Sequence, residues 1–193
     1  MIDKLELLHT LRDAIIAHPS ISMGELAKTA NISRATLYRH YETREVLIES
    51  IAFHCLDKAE LVVKEVAART EGSEEFLREI MYAIAMMGND YFFIALTEIH
   101  RANMRIYNRT SEVVRSLHKH VDQAKSEGVI EEHVDTRWIP HYMHGLIYSA
   151  WHSACRGTLP HDKALELAID AFFNGIKVHP KENAETDATS LAS

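Results

Sequence analysis

The chain is poor in cysteine, proline and glycine, with two, four and seven of them among 193 residues. Two cysteines cannot build a disulfide framework. Cys55 and Cys155 both fall in apolar helical patterns, so both are expected to be reduced core thiols of a cytoplasmic protein. So few glycines leave little material for phosphate-cradling loops, and no HExxH or GxSxG motif is present. An enzyme, such as a helical metal hydrolase using the His144 region, is therefore disfavoured, and no cofactor is expected. Long apolar runs are lacking too: none reaches the roughly 18 residues of a membrane span. Asp3, Lys4 and Glu6 interrupt the start, which does not read as a secretory signal. An excess of positive charge is also missing. The formal net charge of -7 argues against binding nucleic acid over the whole surface, though a local patch remains open.

Helical periodicity runs through nearly all of the rest, and no convincing strand interrupts it. The chain is 47% hydrophobic and 25% charged, ordinary for a globular protein, and the pattern predicts an all-α fold. Leu8, Leu11 and Ile15 recur at helical spacing and mark a first helix, closed by His18-Pro19-Ser20. Ser22 and Glu25 then form a capping box, with Ile21 and Leu26 placed as the hydrophobic staple around it. This second helix runs to about Ala30, and Asn31 suits the chain reversal. Ser33 caps a third helix, with Ile32 and Leu37 as its staple, and Thr43 caps a fourth.

Two short helices joined by a short turn make a helix-turn-helix. The third helix lies within NISRATLYRHYETREVL, Asn31 to Leu47, a dense run of polar and basic side chains in an acidic protein. A solvated surface would account for it; so would a helix that lies against DNA. Small residues at its start allow close approach to a groove, and an arginine can bond guanine in a bidentate way. Tyr38, Arg39 and His40 can reach phosphates, which position a helix without specifying sequence. Arg44 falls in the first turn of the fourth helix, where positive charge is mildly unfavourable unless an anion docks beside it.

The segment SMGELAKTANISRATLYRHYETREVL, Ser22 to Leu47, resembles the DNA-binding segment of the TetR family of bacterial transcriptional regulators. The matching residues are Glu25-Leu26-Ala27 with Ala30, Ile32-Ser33 at the turn, Thr36-Leu37-Tyr38-Arg39-His40-Tyr41, and Arg44 with Leu47. The family often has glycine at the Ala30-Asn31 turn, Phe at Tyr41 and Lys at Arg44. The first helix begins close to Met1, so the long basic arm that some members extend into the minor groove is not expected here. The resemblance implies base-edge contacts from Arg34, Ala35 and Thr36. It implies phosphate contacts from Ser33, Thr36, Tyr38, Arg39, His40 and Arg44. It also implies a homodimer on a palindromic operator of double-stranded DNA, most often a repressor released by a small-molecule effector. The alternative is a helix-turn-helix protein with no small-molecule effector, controlled by a protein partner.

The expected division is a helix-turn-helix domain at 1–46, a helical ligand-binding and dimerisation domain at 47–178, and a disordered polar tail at 179–193. The fourth helix continues to about Arg69, and Ser73 is expected to cap a fifth. Gly88-Asn89-Asp90 breaks the pattern, and a long helix follows, with Tyr107, Val114 and Val121 at heptad intervals, ending at Glu127-Gly128. Two more helices span about Thr136 to Arg156 and His161 to Val178, and Pro140 either kinks the first or marks its true start.

Gly145, Ser149, Ser153 and Gly157 form a ridge of small side chains that lets another helix approach closely, and the last helix offers Leu165, Ala168, Phe172 and Ile176 on one face. Tight packing within one chain and close approach of a second chain are both open; the resemblance favours a dimer through these two helices. Aromatic, Met and His residues are abundant between the reader and this surface, as core or as an adaptable apolar pocket. The family places its effector site there, and His100, Met104, Tyr107, Tyr148 and Trp151 are the candidates. His141, His144, Tyr148 and His152 could share one helical face, but no Cys or carboxylate at ligand spacing completes a metal site, and no metal is expected.

Overall fold

The computed structural model describes residues 3–95 and 103–176. These residues fold as nine α-helices with no β-strand among them. They are α1 (Lys4–Ala17), α2 (Met23–Thr29), α3 (Arg34–His40), α4 (Arg44–Arg69), α5 (Ser73–Met86), α6 (Asn89–Ala95), α7 (Met104–Ser126), α8 (Ile139–Cys155) and α9 (His161–Ile176). The expected all-α class holds.

Local sequence explains most of the boundaries. Asp3 caps α1 by accepting from the Leu5 N–H at 2.9 Å. The Ser22–Glu25 capping box forms as read, with both reciprocal bonds present. Ser33 and Thr43 accept from the Thr36 and Val46 N–H groups and start α3 and α4. Pro140 lies in the first turn of α8, so it starts that helix rather than kinking it. Gly157, with φ of 68°, closes α8, while the Thr158 N–H reaches back to the Ser153 carbonyl at 2.9 Å.

Three expectations need correction. Ser73 does not cap α5: Gly72 holds the cap position, without a side-chain bond. The N–H and hydroxyl of Ser73 both donate to Glu127, at the end of α7, so a distant carboxylate serves this N-terminus. After Met87 and Gly88 the chain forms the separate short helix α6, and α7 starts afresh at Asn103, whose side chain accepts from the Arg105 N–H at 2.9 Å. Of the two cysteines, Cys55 is buried but Cys155 is exposed and is not a core thiol. Val178 and the 179–193 tail lie outside the described residues.

Two main hydrophobic cores form among the described residues, and α4 belongs to both. Its first half, through Leu47, Ile51, Ala52, Cys55 and Leu56, packs with Leu11, Leu26, Leu37 and Tyr41 of the first three helices. Its second half, through Ala59, Val63 and Val66, packs with α5, α7, α8 and α9. Phe93 of α6 and Ile106 of α7, both fully buried, also enter the smaller core. The smaller unit therefore rests directly on the larger one, and a boundary at residue 46 crosses continuous packing. Among the described residues the most extensive helix–helix packing is between α8 and α9. Among the described residues no helix is long and apolar enough to cross a membrane.

Candidate nucleic-acid interface

The turn between α2 and α3 sets the angle of the candidate reader. Asn31 has φ of 52°, a left-handed conformation that a short polar side chain tolerates better than a branched one. Around it the Asn31 N–H donates to the Lys28 carbonyl at 3.0 Å and the Ile32 N–H to the Ala27 carbonyl at 2.9 Å. These two bonds are a Schellman ending, built here with Asn in the place that glycine usually takes. Leu37, fully buried, then fixes which face of α3 turns inward.

The opposite face is open. Ser33, Arg34, Ala35, Tyr38, Arg39 and His40 are all exposed, and Thr36 is half-buried. Among the described residues, Arg34, Tyr38, Arg39 and His40 have no hydrogen-bond or ion-pair partner, although His40 lies beside the Tyr41 ring. Their donors are unspent. The Ser33 hydroxyl accepts from the Thr36 N–H and sits 2.9 Å from the Thr36 hydroxyl, so both hydroxyls already serve the cap. Tyr41 is buried, and burial raises its phenol pKa above the ordinary value.

Arg44 differs from the other basic candidates. Its guanidinium donates to the Ile21 carbonyl at 2.5 Å and to the Pro19 carbonyl at 2.6 Å. Those carbonyls supply the negative partner that its place at a helix start calls for. An anion is not needed to explain this arginine.

Gly24 carries a role that spacing did not signal. A Cβ there would stand 2.6 Å from one Arg34 guanidinium nitrogen, so Arg34 lies across α2 where a side chain would otherwise project. The available signal was a glycine early in a short helix, at no turn.

Among the described residues, the candidate ligand residues fall in two places. Trp151 stacks on Phe92 with ring centroids 3.6 Å apart, and Tyr148 lies 6.0 Å from Trp151. Beside them Tyr91, buried on α6, hydrogen-bonds His144 Nδ1 on α8. Met104 and Tyr107 are instead 67% and 53% exposed. His100 lies outside the described residues. An open depression elsewhere is lined by His133, Val134, Asp135, Arg137, Trp138 and His141. The His141, His144, Tyr148 and His152 set divides: His141 faces that depression, His144 is bound to Tyr91, and His152 stacks on Tyr148.

The expected dimer face also divides. Gly145 and Ser149 are exposed and Ser153 is half-buried. Leu165, Ala168 and Phe172 are buried inside the single chain, where Ala168 packs with Ala150 and Phe172 with the main core. These three therefore pack within the single chain, the intrachain reading that the sequence left open beside a dimer.

The fold and this interface define a helix-turn-helix mounted on a larger helical body. Residues 19–51 match the family model described as bacterial regulatory proteins, tetR family. Over 47 residues the chain is 49% identical to an HTH-type transcriptional regulator of Mycobacterium tuberculosis. That match covers 24% of this chain and 21% of the curated relative, about a fifth of the relative's length. A TetR family transcription regulator from Marinobacter aquaeolei VT8 is similar in structure, with TM-score 0.71, 23% identity, and 89% and 94% of the two chains covered. The TetR-like transcriptional regulator LfrR from Mycobacterium smegmatis, in complex with proflavine, aligns with TM-score 0.70 and 16% identity over 90% and 96%. AibR in complex with isovaleryl coenzyme A and operator DNA aligns with TM-score 0.74 and 21% identity over 88% and 97%. The segment at residues 19–51 is therefore that of the tetR-family model, and the chain as a whole shares the fold of these solved regulators.

Proposed function

We propose that the protein is a DNA-binding transcriptional regulator that reads a palindromic operator as a homodimer. It acts as a repressor and is released by a small molecule. The observation that carries this reading is the exposed face of α3, where Arg34, Tyr38, Arg39 and His40 hold unspent donors on a helix fixed by Leu37 and Tyr41. Arg34 suits base reading, and Arg39 with Tyr38 suits phosphate. A dimer sets two such helices about one DNA turn apart, roughly 34 Å, and so reads two half-sites. The net charge of -7 then keeps the rest of the surface off DNA.

The effector reading has narrower support. Similar structures hold proflavine in one case and isovaleryl coenzyme A with operator DNA in another. In this chain the Phe92, Tyr148 and Trp151 rings cluster at the α6–α8 junction, an apolar aromatic group beside Tyr91 and His144. A ligand that prefers one arrangement of α6 would shift the population between DNA-binding states.

Selection of genomic fragments by the purified protein tests the reading. The wild type is expected to enrich one palindromic motif, with affinity falling steeply as salt rises. Arg34→Ala is expected to lose the motif yet retain weak binding to any DNA. Absence of an enriched motif at low salt would overturn the proposal.

A further inference from the structure

Three helices converge where the small unit meets the large one, and each brings a metal-ligating side chain. His9 of α1, His54 of α4 and Asp90 of α6 each offer a ligand atom, all within 4.8 Å of one another. Both imidazoles are half-buried, with ring centroids 5.6 Å apart. Among the described residues neither makes a hydrogen bond or an ion pair. Half-buried imidazoles ordinarily spend at least one ring nitrogen on a partner, so two unspent rings beside a carboxylate call for an explanation. Asp90 is 2% exposed, one of two buried polar residues in the described chain.

We propose that His9, His54 and Asp90 bind a divalent first-row metal ion of the zinc class. Two imidazole nitrogens and one carboxylate oxygen suit such an ion, with water completing a tetrahedral set. Calcium and magnesium, which take oxygen ligands in larger number, fit poorly. The site lies far along the sequence from the histidine-rich α8, and the ion would tie α1, α4 and α6 together.

Two cations already hold the carboxylate, and they decide how an ion enters. Lys58 donates to Asp90 Oδ2 at 2.5 Å, and Arg12 donates to Oδ1. The Lys58 side chain is 47% exposed and can turn into solvent, whereas Arg12 is 11% exposed and packed. The ion therefore displaces Lys58, and Arg12 remains as an outer partner that orients the carboxylate. This exchange gives the site a signature that a chance pair of surface histidines lacks: removing a nearby lysine strengthens metal binding.

The test uses the full chain, stripped with a chelator and dialysed. Zinc is titrated by calorimetry, and cobalt(II) is followed by its visible absorption, which is intense in tetrahedral sites. Wild type is expected to take up one ion per chain and to melt at higher temperature with zinc present. His9→Gln combined with His54→Gln is expected to weaken binding by at least about tenfold. His141→Gln combined with His152→Gln should leave it unchanged. Lys58→Met, at a half-exposed position, is expected to tighten it several-fold, while Arg12 keeps its ion pair to Asp90. Asp90 stays unchanged because its ion pairs also hold the helices. No saturable uptake of zinc overturns the proposal. So does binding that the His9 and His54 changes leave alone, or that Lys58→Met weakens. If the double variant does not fold, the Lys58→Met titration decides, read against Lys64→Met, which removes the same charge from Glu60 rather than from Asp90 and should leave binding unchanged.

Discussion

The Arg44 guanidinium and the Ile21 carbonyl meet at 2.5 Å, joining the first turn of α4 to the loop between α1 and α2. With the second bond to Pro19, this clamp fixes the reader from behind. Arg44→Ala is therefore expected to cost about 1–2 kcal/mol of stability. Arg44→Lys keeps the charge but not the fork that spans two carbonyls. Urea unfolding of the two variants separates the tasks. If lysine matches arginine in stability, the clamp contributes nothing and Arg44 serves phosphate alone.

Tyr41 is 3% exposed and its hydroxyl finds no partner among the described residues. A buried hydroxyl without a bond costs free energy, whereas its ring fills the small core. Tyr41→Phe is expected to leave stability unchanged or to raise it by up to about 1 kcal/mol. Tyr41→Ala is expected to cost about 3–5 kcal/mol through the cavity it leaves. Thermal unfolding of both reads the difference. A clear loss in Tyr41→Phe would mean that an ordered water satisfies the hydroxyl.

Glu60 of α4 makes a cross-link to α7 whose pH range is defined. Hydrogen bonds from Lys64 and then Arg109 hold its carboxyl down at about 2. Arg109 also donates to Asp57 at 2.9 Å, so one guanidinium holds two acids of α4. The folded pKa lies below the unfolded value of about 4.3. Its stabilisation is therefore complete above that value and is lost as pH falls from about 4.3 through 2. A carboxylate titration by NMR should show Glu60 still ionised at pH 3. Arg109→Ala should move its midpoint up only part of the way, because Lys64 remains. A midpoint near 4 in the wild type would mean that solvent screens the contact.

What the sequence could reveal follows the range of each interaction. The caps at Ser22, Ser33 and Thr43 bond groups within the same turn, so their spacing sufficed. Asn31 announced the reversal because few other residues tolerate a positive φ. Long-range partners left no such trace. The Glu127 cap on Ser73 joins helices distant in sequence, and the serine looked like an ordinary N-cap. Asp90 seemed part of a chain break, yet it is the buried acid between Arg12 and Lys58. Periodicity found the apolar face of α9 but could not say whether α8 or a second chain covers it. In the reader the exposed set was legible from α3 alone, whereas the inward use of Arg44 depended on where Pro19 and Ile21 fall.

Gly24 and Arg34 form the last pair that only folding brings together. Gly24 shows no positive φ, so its backbone does not require glycine, and within a helix it costs about 1 kcal/mol relative to alanine. The atoms a Cβ would meet belong to the Arg34 guanidinium, at 2.6 to 2.8 Å. Those atoms end a flexible side chain, so a methyl group moves Arg34 and leaves the backbone in place. Gly24→Ala is therefore expected to stabilise the fold by up to about 1 kcal/mol while redirecting Arg34. In the fragment selection its motif should change at the bases that Arg34→Ala relaxes, and nowhere else. Adding Gly24→Ala to Arg34→Ala should then change nothing further, the non-additivity expected of two residues that act through one contact. An equal effect of Gly24→Ala with and without Arg34 would place its influence in α2 itself and sever the link between the glycine and the arginine.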